Sequence, residues 1–382
     1  MQSTSTKNLW SARVIVAALL SAPMSASAFT LTTTVADSPL SLSVDGFVGA
    51  YYSYVVQNPD NGISVARLFS SRHNTIAISG ASIGFELRYA DAFIYIAPWF
   101  GLTPATIYSG EPTAVVAGGV GPSNAAVWRN LRAAYGGFDT GPWTFDAGLF
   151  VSPIGFEGVA AKDNWLWSSS WQNYLLPFYH FGARAHYDLA NGNTLGFWVV
   201  NGFAGAVDAN EAKSIIVTAS GGVGEGQWQV LYYGGAERPD GAERDLSWLH
   251  MLDAWISIPL SDRVEVAGQF DIGIEPSEFG LSYFLAASGY VRLALTDIVS
   301  LAARAEVFTE NAADNEQGSA GPFFLPADWV VAGSVALEVR PVEHSAIRLE
   351  YRHDQAEREL FFDGDGAGKS QDAFTLGLTV WL

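Results

Sequence analysis

Six histidines are the first residues to consider for chemistry, because imidazole is a common metal ligand and a common general base. None stands at a metal-site spacing from a second ligand. Two of them share one predicted strand face, but six residues of strand separate them by roughly 20 Å. The sequence therefore predicts no metal, no cofactor and no catalytic residue. The six are His73, His180, His186, His250, His344 and His353.

A glycine-rich string near the end of the chain, from Asp363 to Ser370, superficially matches a phosphate-binding loop. Asp363 replaces the first glycine, and a strand follows where such a loop needs a helix N-terminus. Asp363 and Asp365 could also contribute to a calcium site, but the other ligands of a calcium loop are absent. We therefore expect an ordinary exposed loop.

Charged side chains at alternate positions of the predicted strands are stronger candidates for function than the histidines or the glycine-rich string. Both signs share the face opposite to the apolar one, and a dry interior would cost several kcal/mol per unpaired ion. The pattern predicts either a water-filled lumen or a dense network of ion pairs. The lumen-facing charges are Arg88, Arg132, Arg184, Arg292, Arg304, Arg348, Glu86, Asp146, Glu265, Asp271, Glu306, Glu338 and Glu350.

The connection 152–177 is among the longest in the chain, and it carries Trp165, Trp167 and Trp171. Three tryptophans are too apolar for an exposed loop, so this one should pack against something. It could fold inward as a pore constriction, with Glu157, Lys162 and Asp163 near the narrowest point. Alternatively, it could pack against neighbouring external loops.

Period-two alternation of apolar residues runs through the chain and predicts the elements that position these side chains. Leu42 to Tyr52 alternate near the start, and Phe374 to Leu382 alternate at the end. With these two, the pattern predicts an all-β, antiparallel, up-and-down transmembrane barrel of about 16 strands, with 14 or 18 as alternatives. The candidates between them are 74–89, 92–100, 127–137, 143–151, 178–188, 194–202, 213–220, 227–235, 245–259, 263–274, 283–295, 299–309, 328–340 and 345–354.

The connections between these strands alternate between short turns and long loops. Membrane barrels place short turns on the periplasmic side and long loops outside. Outward parity also puts four aromatic residues beside the short turns, where an interfacial girdle is expected. These residues are Tyr89, Tyr135, Trp143 and Tyr187.

Composition supports export and a membrane location. The chain has 49% hydrophobic and only 15% charged residues, no cysteine, and a net charge of −19, which argues against nucleic-acid binding. Residues 1–28 resemble a secretory signal peptide, with Lys7 and Arg13 before an apolar run and Ala26-Ser27-Ala28 as the cleavage site. We therefore expect one barrel domain, 29–382, exported through the periplasm to the outer membrane of a Gram-negative cell.

Three segments resemble the β-barrel porin-2 family: Phe145–Glu157 with its Ser-Pro-Ile-Gly, Leu176–Arg184 with Leu-Pro-Phe-Tyr-His, and Leu195–Gly202. The opening Gly46–Tyr54 is similar too. The resemblance implies an outer-membrane porin for passive diffusion of ions and small hydrophilic solutes, with no catalytic residue to transfer. The end in Trp381-Leu382 departs from the terminal Phe of many outer-membrane proteins.

Other functions stay open. A channel selective for sugars or another small nutrient would use the loop tryptophans for stacking. A barrel enzyme would need a nucleophile beside His73 or His353 near the external rim, and a structural or adhesive protein would conduct little. The expected partners are outer-membrane lipid and lipopolysaccharide, the barrel assembly machinery and the solutes themselves, with a homotrimer as a further possibility and no nucleic acid.

Overall fold

The computed structural model describes residues 29–35, 37–110, 113–116, 119–123, 128–203, 205, 210–237, 247–277, 280–315, 318–319, 325 and 327–382. Within these ranges, no helix is long and apolar enough to cross a membrane. The described helices are short and lie in connections between strands. They are the α-helices Leu102–Ile107 and Trp171–Leu175 and the 3₁₀ turns Tyr108–Gly110 and Ala161–Asp163.

Seventeen strands form one antiparallel sheet, and 16 of them close into a barrel because β2 pairs with both β3 and β17. Phe47 lies opposite Trp381, and Val55 lies opposite Ala373. The predicted fold is confirmed. The strands are β1 Phe29–Val35, β2 Ser38–Val55, β3 Thr75–Tyr89, β4 Ala92–Phe100, β5 Leu131–Thr140, β6 Trp143–Val151, β7 Tyr179–Asp188, β8 Thr194–Val200, β9 Ser214–Val223, β10 Gly226–Ala236, β11 Trp248–Pro259, β12 Val264–Ser277, β13 Gly280–Ala294, β14 Val299–Asn311, β15 Trp329–Val339, β16 Ser345–Ala356 and β17 Ser370–Trp381.

The 16 strands of the closed barrel expose one face and bury the other, whereas all seven residues of β1 are exposed. In β17, Leu376 is 50% exposed, whereas its neighbours Thr375 and Gly377 face inward, with Thr375 5% exposed. The outer surface is therefore a continuous apolar band. Such a band is unfavourable in contact with water but stable in contact with lipid. The interior collects the polar and charged side chains.

The first strand, β1, was not predicted from the sequence. It pairs only with the Ser38–Val44 part of β2, on the same edge that β17 occupies from Phe47 onward. Its inward positions are all threonine, and only three of its seven residues are apolar, so the alternation is weak. It extends the barrel wall beyond the last residues of β17.

The prediction that Tyr135 belongs to the aromatic girdle is wrong. Tyr135 is only 8% exposed and packs inside against Phe93 and Tyr95, whereas Tyr89 and Trp143 do face outward. The reason is a β-bulge: Ala97 pairs with Ala133 and Pro98 with Leu131, which leaves Arg132 as the extra residue. A bulge reverses the alternation beyond it, so Arg132 and Tyr135 both point inward.

Candidate functional site

The loop 152–177 connects β6 to β7, and hydrogen bonds hold its two ends together. We call this closed base of the loop its neck. Ser152 Oγ lies 3.1 Å from His180 Nε2, and the Ser152 amide donates to the Phe178 carbonyl at 3.0 Å. His180 Nδ1 in turn lies 3.2 Å from the Gly202 carbonyl oxygen. These contacts join the Ser-Pro-Ile-Gly segment to the Leu-Pro-Phe-Tyr-His segment.

Carboxylates on the inner wall bind the backbone of this loop. Glu350 accepts hydrogen bonds from the amides of Trp167, at 2.5 Å, and Ser168, at 3.1 Å. Glu306 accepts the amide of Trp171 at 2.5 Å. Buried amides need such acceptors, and a charged acceptor makes the hydrogen bond stronger. The wall therefore holds the loop at its backbone, whatever its side chains are.

Arginines on β14 and β16 bind the loop carbonyls. Arg304 forms an ion pair with Glu157 at 2.6 Å and also donates to the Ser168 carbonyl at 2.8 Å. Arg352 donates to the Ser169 carbonyl, and Arg348 donates to the Ala161 carbonyl. Together with the wall carboxylates, these arginines form the dense network of ion pairs that inward charges of both signs predict.

An acid–amide cluster on β10 to β13 holds both ends of the same loop. Gln229 donates to the Pro153 carbonyl at 2.6 Å, and Gln269 accepts the Phe156 amide at 2.8 Å. Near the other end of the loop, Gln172 donates to Asp271. The loop is thus fixed at its start, middle and end.

The three tryptophans occupy different places. Trp167 is fully buried against Gly377 of β17 and near Tyr51 of β2, with ring centroids 6.3 Å apart. Trp171 is also buried, and its indole N–H donates to Asp354 at 2.8 Å. Trp165 is partly exposed and contacts Phe156 edge-on at 5.5 Å. The loop therefore lies inside the barrel, not against the external loops.

The three charged residues predicted at the narrowest point do not share one environment. Glu157 is only 5% exposed and is enclosed by Arg304 and Ser170. Lys162 and Asp163 are paired at 2.5 Å on the 3₁₀ turn, with side chains 24% and 29% exposed. Of the three, only Lys162 and Asp163 are substantially accessible to solvent.

The first long connection, 56–73, also enters the barrel, which the sequence analysis missed. Arg67 forms a buried ion pair with Asp354, and the Val65 amide donates to Gln371 at 3.0 Å. Burial, reinforced by the neighbouring Arg352 cation, lowers the pKa of the Arg67 guanidinium. The apolar pair Leu68-Phe69, fully buried here, was the signal that could have revealed it.

The remaining predicted lumen charges form ion pairs or hydrogen bonds with other wall residues, and all except Arg132 lie nearer the short-turn ends of their strands. Each is at least partly buried on the inner side of its strand. The contacts are Arg88 with Asp139 and Glu86, Arg132 with Asp45 at 2.9 Å, Arg184 with Asp146 at 2.7 Å, Ser257 with Glu265 at 2.9 Å, and Arg292 and Arg348 with Glu338 at 2.9 and 2.6 Å.

No catalytic or metal constellation appears among the described residues. Ser152 and His180 are hydrogen-bonded but buried, and His180 Nδ1 faces a carbonyl where a triad would need a carboxylate. At the external rim, His353 pairs with Asp372 at 2.8 Å, and the third partner there is the Tyr351 hydroxyl. The described part of the chain also holds no group of three potential metal ligands.

The glycine-rich string forms a small hairpin in the last long connection. Phe361–Asp363 pairs with Gly366–Gly368, and Gly364 adopts a φ of 56° in the turn. No helix N-terminus follows, so the phosphate-loop interpretation has no structural basis.

Three solved structures similar to this chain are an outer membrane channel, a porin and a further outer membrane protein. The outer membrane channel DcaP of Acinetobacter baumannii is 12% identical, with a TM-score of 0.59 over 90% of this chain and 97% of that one. An anion-selective porin from Comamonas acidovorans is 9% identical, with a TM-score of 0.57 over 90% and 100%. OmpT of Vibrio cholerae, in a form described as a trimer, is 10% identical, with a TM-score of 0.55 over 90% and 99%. At these identities the likeness establishes the fold alone.

Sequence comparison gives the family directly. No curated protein sequence matches the chain. A family model described as "Putative beta-barrel porin-2, OmpL-like" matches residues 41–382, which covers the closed barrel except for the first three residues of β2. With the 16-stranded barrel and its inward-folded loop, this makes the chain an outer-membrane porin of the β-barrel porin-2, OmpL-like family.

Proposed function

We propose that ions and small hydrophilic solutes cross this porin by passive diffusion past the inner edge of loop 152–177. The observation that carries the proposal is the anchoring of this loop inside the barrel beside charges of both signs. A solute meets a low energy barrier in a pore when it keeps most of its hydration water there. Fixed charges in the pore then select solutes by the sign of their charge. Glu157, buried in its ion pair, would support the loop instead of touching solutes.

Lys162 and Asp163 would form the selective edge, together with wall charges of both signs. Lys162 Nζ lies 5.8 Å from the ring centre of Phe47 on β2, and Asp163 is close enough to act electrostatically on Arg132. Arg132 is paired with Asp45. Opposed charges across a narrow passage produce a transverse field, which orders water and favours ions of one sign on each side.

Planar-bilayer recording of the purified barrel tests this proposal. Wild-type protein should give discrete conductance steps, and Lys162→Gln and Asp163→Asn should shift the reversal potential under a salt gradient in opposite directions. Arg358→Gln is a matched control, because Arg358 lies in the last external connection with its side chain 62% exposed. Insertion without conductance would reject diffusion, and equal reversal potentials for all variants would reject the selective edge.

A sugar-selective channel is the second candidate, favoured by the partly exposed Trp165 and Phe156, which could stack on a sugar ring. Trp167 and Trp171 are too buried for this. Saturable block of the conductance by a sugar, lost in Trp165→Ala, would support it. We know of no feature among the described residues that favours an enzyme.

We also infer how the protein reaches its place and associates there. Cleavage after Ala28 would leave Phe29, the first residue of β1, as the new N-terminus, which mass spectrometry of the membrane-extracted protein tests. Export through the periplasm, insertion by the barrel assembly machinery and contact with lipopolysaccharide belong to the same proposal. A homotrimer is suggested by the trimer form of the related fold, and its mass in detergent would decide this.

A further inference from the structure

Three arginines converge on one carboxylate at the short-turn end of the interior. Arg292 Nη2 and Arg340 Nε lie 2.9 and 2.8 Å from the same oxygen, Oε1 of Glu338. Arg348 Nε lies 2.6 Å from the other oxygen, Oε2. Because Arg292 and Arg340 share an oxygen atom, their guanidinium groups are near neighbours.

This group carries more positive than negative charge. The next carboxylate is Glu265, directly opposite Arg292 in the β12–β13 pairing, where it accepts a hydrogen bond from Ser257 at 2.9 Å. Arg292, Arg340 and Arg348 thus face Glu338 and Glu265. The further carboxylate on the face of Arg348, Glu350, is bound to the loop amides of Trp167 and Ser168. Like charges held this close are unfavourable without further compensation, so the group has room for one more negative charge.

A buried donor points to the same conclusion. The Arg348 side chain is 1% exposed, and its Nη2 has no hydrogen-bond partner among the described residues. Its other end nitrogen, Nη1, is bound to the Ala161 carbonyl of the loop. An unmade hydrogen bond at a buried guanidinium is costly, which an oxyanion acceptor would remove.

The group is also reachable from water. Arg292 and Arg340 side chains are 26% and 39% exposed, and Arg340 immediately precedes the short turn between β15 and β16. Arg348 contacts loop 152–177 at the residue before Lys162. The arginines therefore extend from the short-turn end of the lumen to the loop edge where solutes would be sorted.

We propose that Arg292, Arg340 and Arg348 form a binding site for small oxyanions, carboxylate or phosphate, inside the channel. A guanidinium presents a planar pair of N–H donors that matches the two oxygens of such a group. Glu338 holds the three arginines in place and limits their net attraction, so that the anion is retained briefly and then released. The role of this site in permeation rests on the proposed diffusion function. The binding of an oxyanion to the site does not depend on that function.

Titration of the purified full-length barrel with inorganic phosphate at constant ionic strength tests the site, by calorimetry or by ³¹P line broadening. The double variant Arg292→Gln/Arg340→Gln should bind phosphate at least about tenfold more weakly, since charge-assisted hydrogen bonds are lost. Arg340→Gln alone, at the most exposed position, should give an intermediate loss and guards against misfolding. Arg358→Gln should bind like wild type, and succinate in place of phosphate should give the same order among the variants.

Conductance of the same proteins in potassium chloride separates this inference from the proposed function. Phosphate that binds wild type and the double variant equally, or neither, overturns the oxyanion site, even if all variants conduct. Binding that follows the arginines while no variant conducts leaves the site standing and rejects diffusion.

Discussion

The indole ring of Trp167 lies flat against the backbone of Gly377, where no side chain could stand. A Cβ added to Gly377 would sit 2.0 Å from Trp167 Cε3, far inside van der Waals contact. The absence of a side chain at Gly377 therefore leaves the space that Trp167 of the inward-folded loop occupies. Gly377 lies on β17, more than two hundred residues after Trp167 in the chain.

Gly377→Val should displace Trp167 and loosen the loop. Overpacking of this kind typically costs about 1–3 kcal/mol, and we expect altered single-channel conductance together with a lower unfolding midpoint in urea. Gly289→Ala is the control, because a Cβ there meets nothing within 4 Å. Wild-type conductance and stability in Gly377→Val would mean that the ring is not seated on β17.

Glu350→Gln should release part of the loop without opening the barrel. The new carboxamide keeps one acceptor oxygen but carries no charge, so the N–H groups of Trp167 and Ser168 lose a charged acceptor and one of its two oxygens. Hydrogen bonds to a charged acceptor are roughly twice as strong as those to a neutral one, so we expect a loss of about 1 kcal/mol. Trypsin should then cut after Lys162 faster than in wild type. Glu357→Gln, in the last external connection, is the control, and equal cleavage of all three proteins would contradict this anchoring role.

His73 should make the first external loop sensitive to acid. Its Nδ1 accepts the Val55 amide at 2.9 Å, and burial lowers the pKa of His73 below its usual 6.5. Because the unfolded chain binds the proton more readily, the stabilisation is complete above about pH 6.5 and is lost as the pH falls below it.

His73→Asn keeps an acceptor oxygen but cannot titrate. The melting temperature of wild type should therefore fall relative to that of the variant between pH 7.5 and pH 5. Parallel melting curves for the two proteins over this range would show that His73 does not contribute.

Ser152→Ala should weaken the neck of the loop. It leaves the buried His180 Nε2 without its partner, at a cost of about 1–3 kcal/mol in unfolding free energy. An unfolding free energy equal to that of wild type would mean that this hydrogen bond does not stabilise the protein.

The strands were predictable because each shows its lipid and lumen faces in every second residue, as in Phe374 and Thr375 of β17. Local alternation carries no record of an inserted residue, so Tyr135 was misplaced by the bulge at Arg132. β1 was missed for a different reason, because its threonine-rich sequence alternates only weakly between apolar and polar residues.

The interior was only partly predictable. Inward charges follow from parity, but which ones meet depends on strands far apart in sequence, so the enclosure of Glu157 by Arg304 could not be foreseen. The three tryptophans indicated that loop 152–177 packs somewhere, without saying where. The entry of Arg67 into the barrel was missed because a polar loop gives little signal beyond Leu68-Phe69.

The anchors of loop 152–177 come late in the chain, and this sets an order of events during folding. Gln172 and Asp271 are 99 residues apart, and Trp167 and Glu350 are 183 apart. Contacts of such high sequence separation form slowly, because the intervening chain must first be ordered. A barrel that assembles from its first strands would pass through a wide, unobstructed intermediate, and the narrow channel would appear only when β14 to β17 arrive.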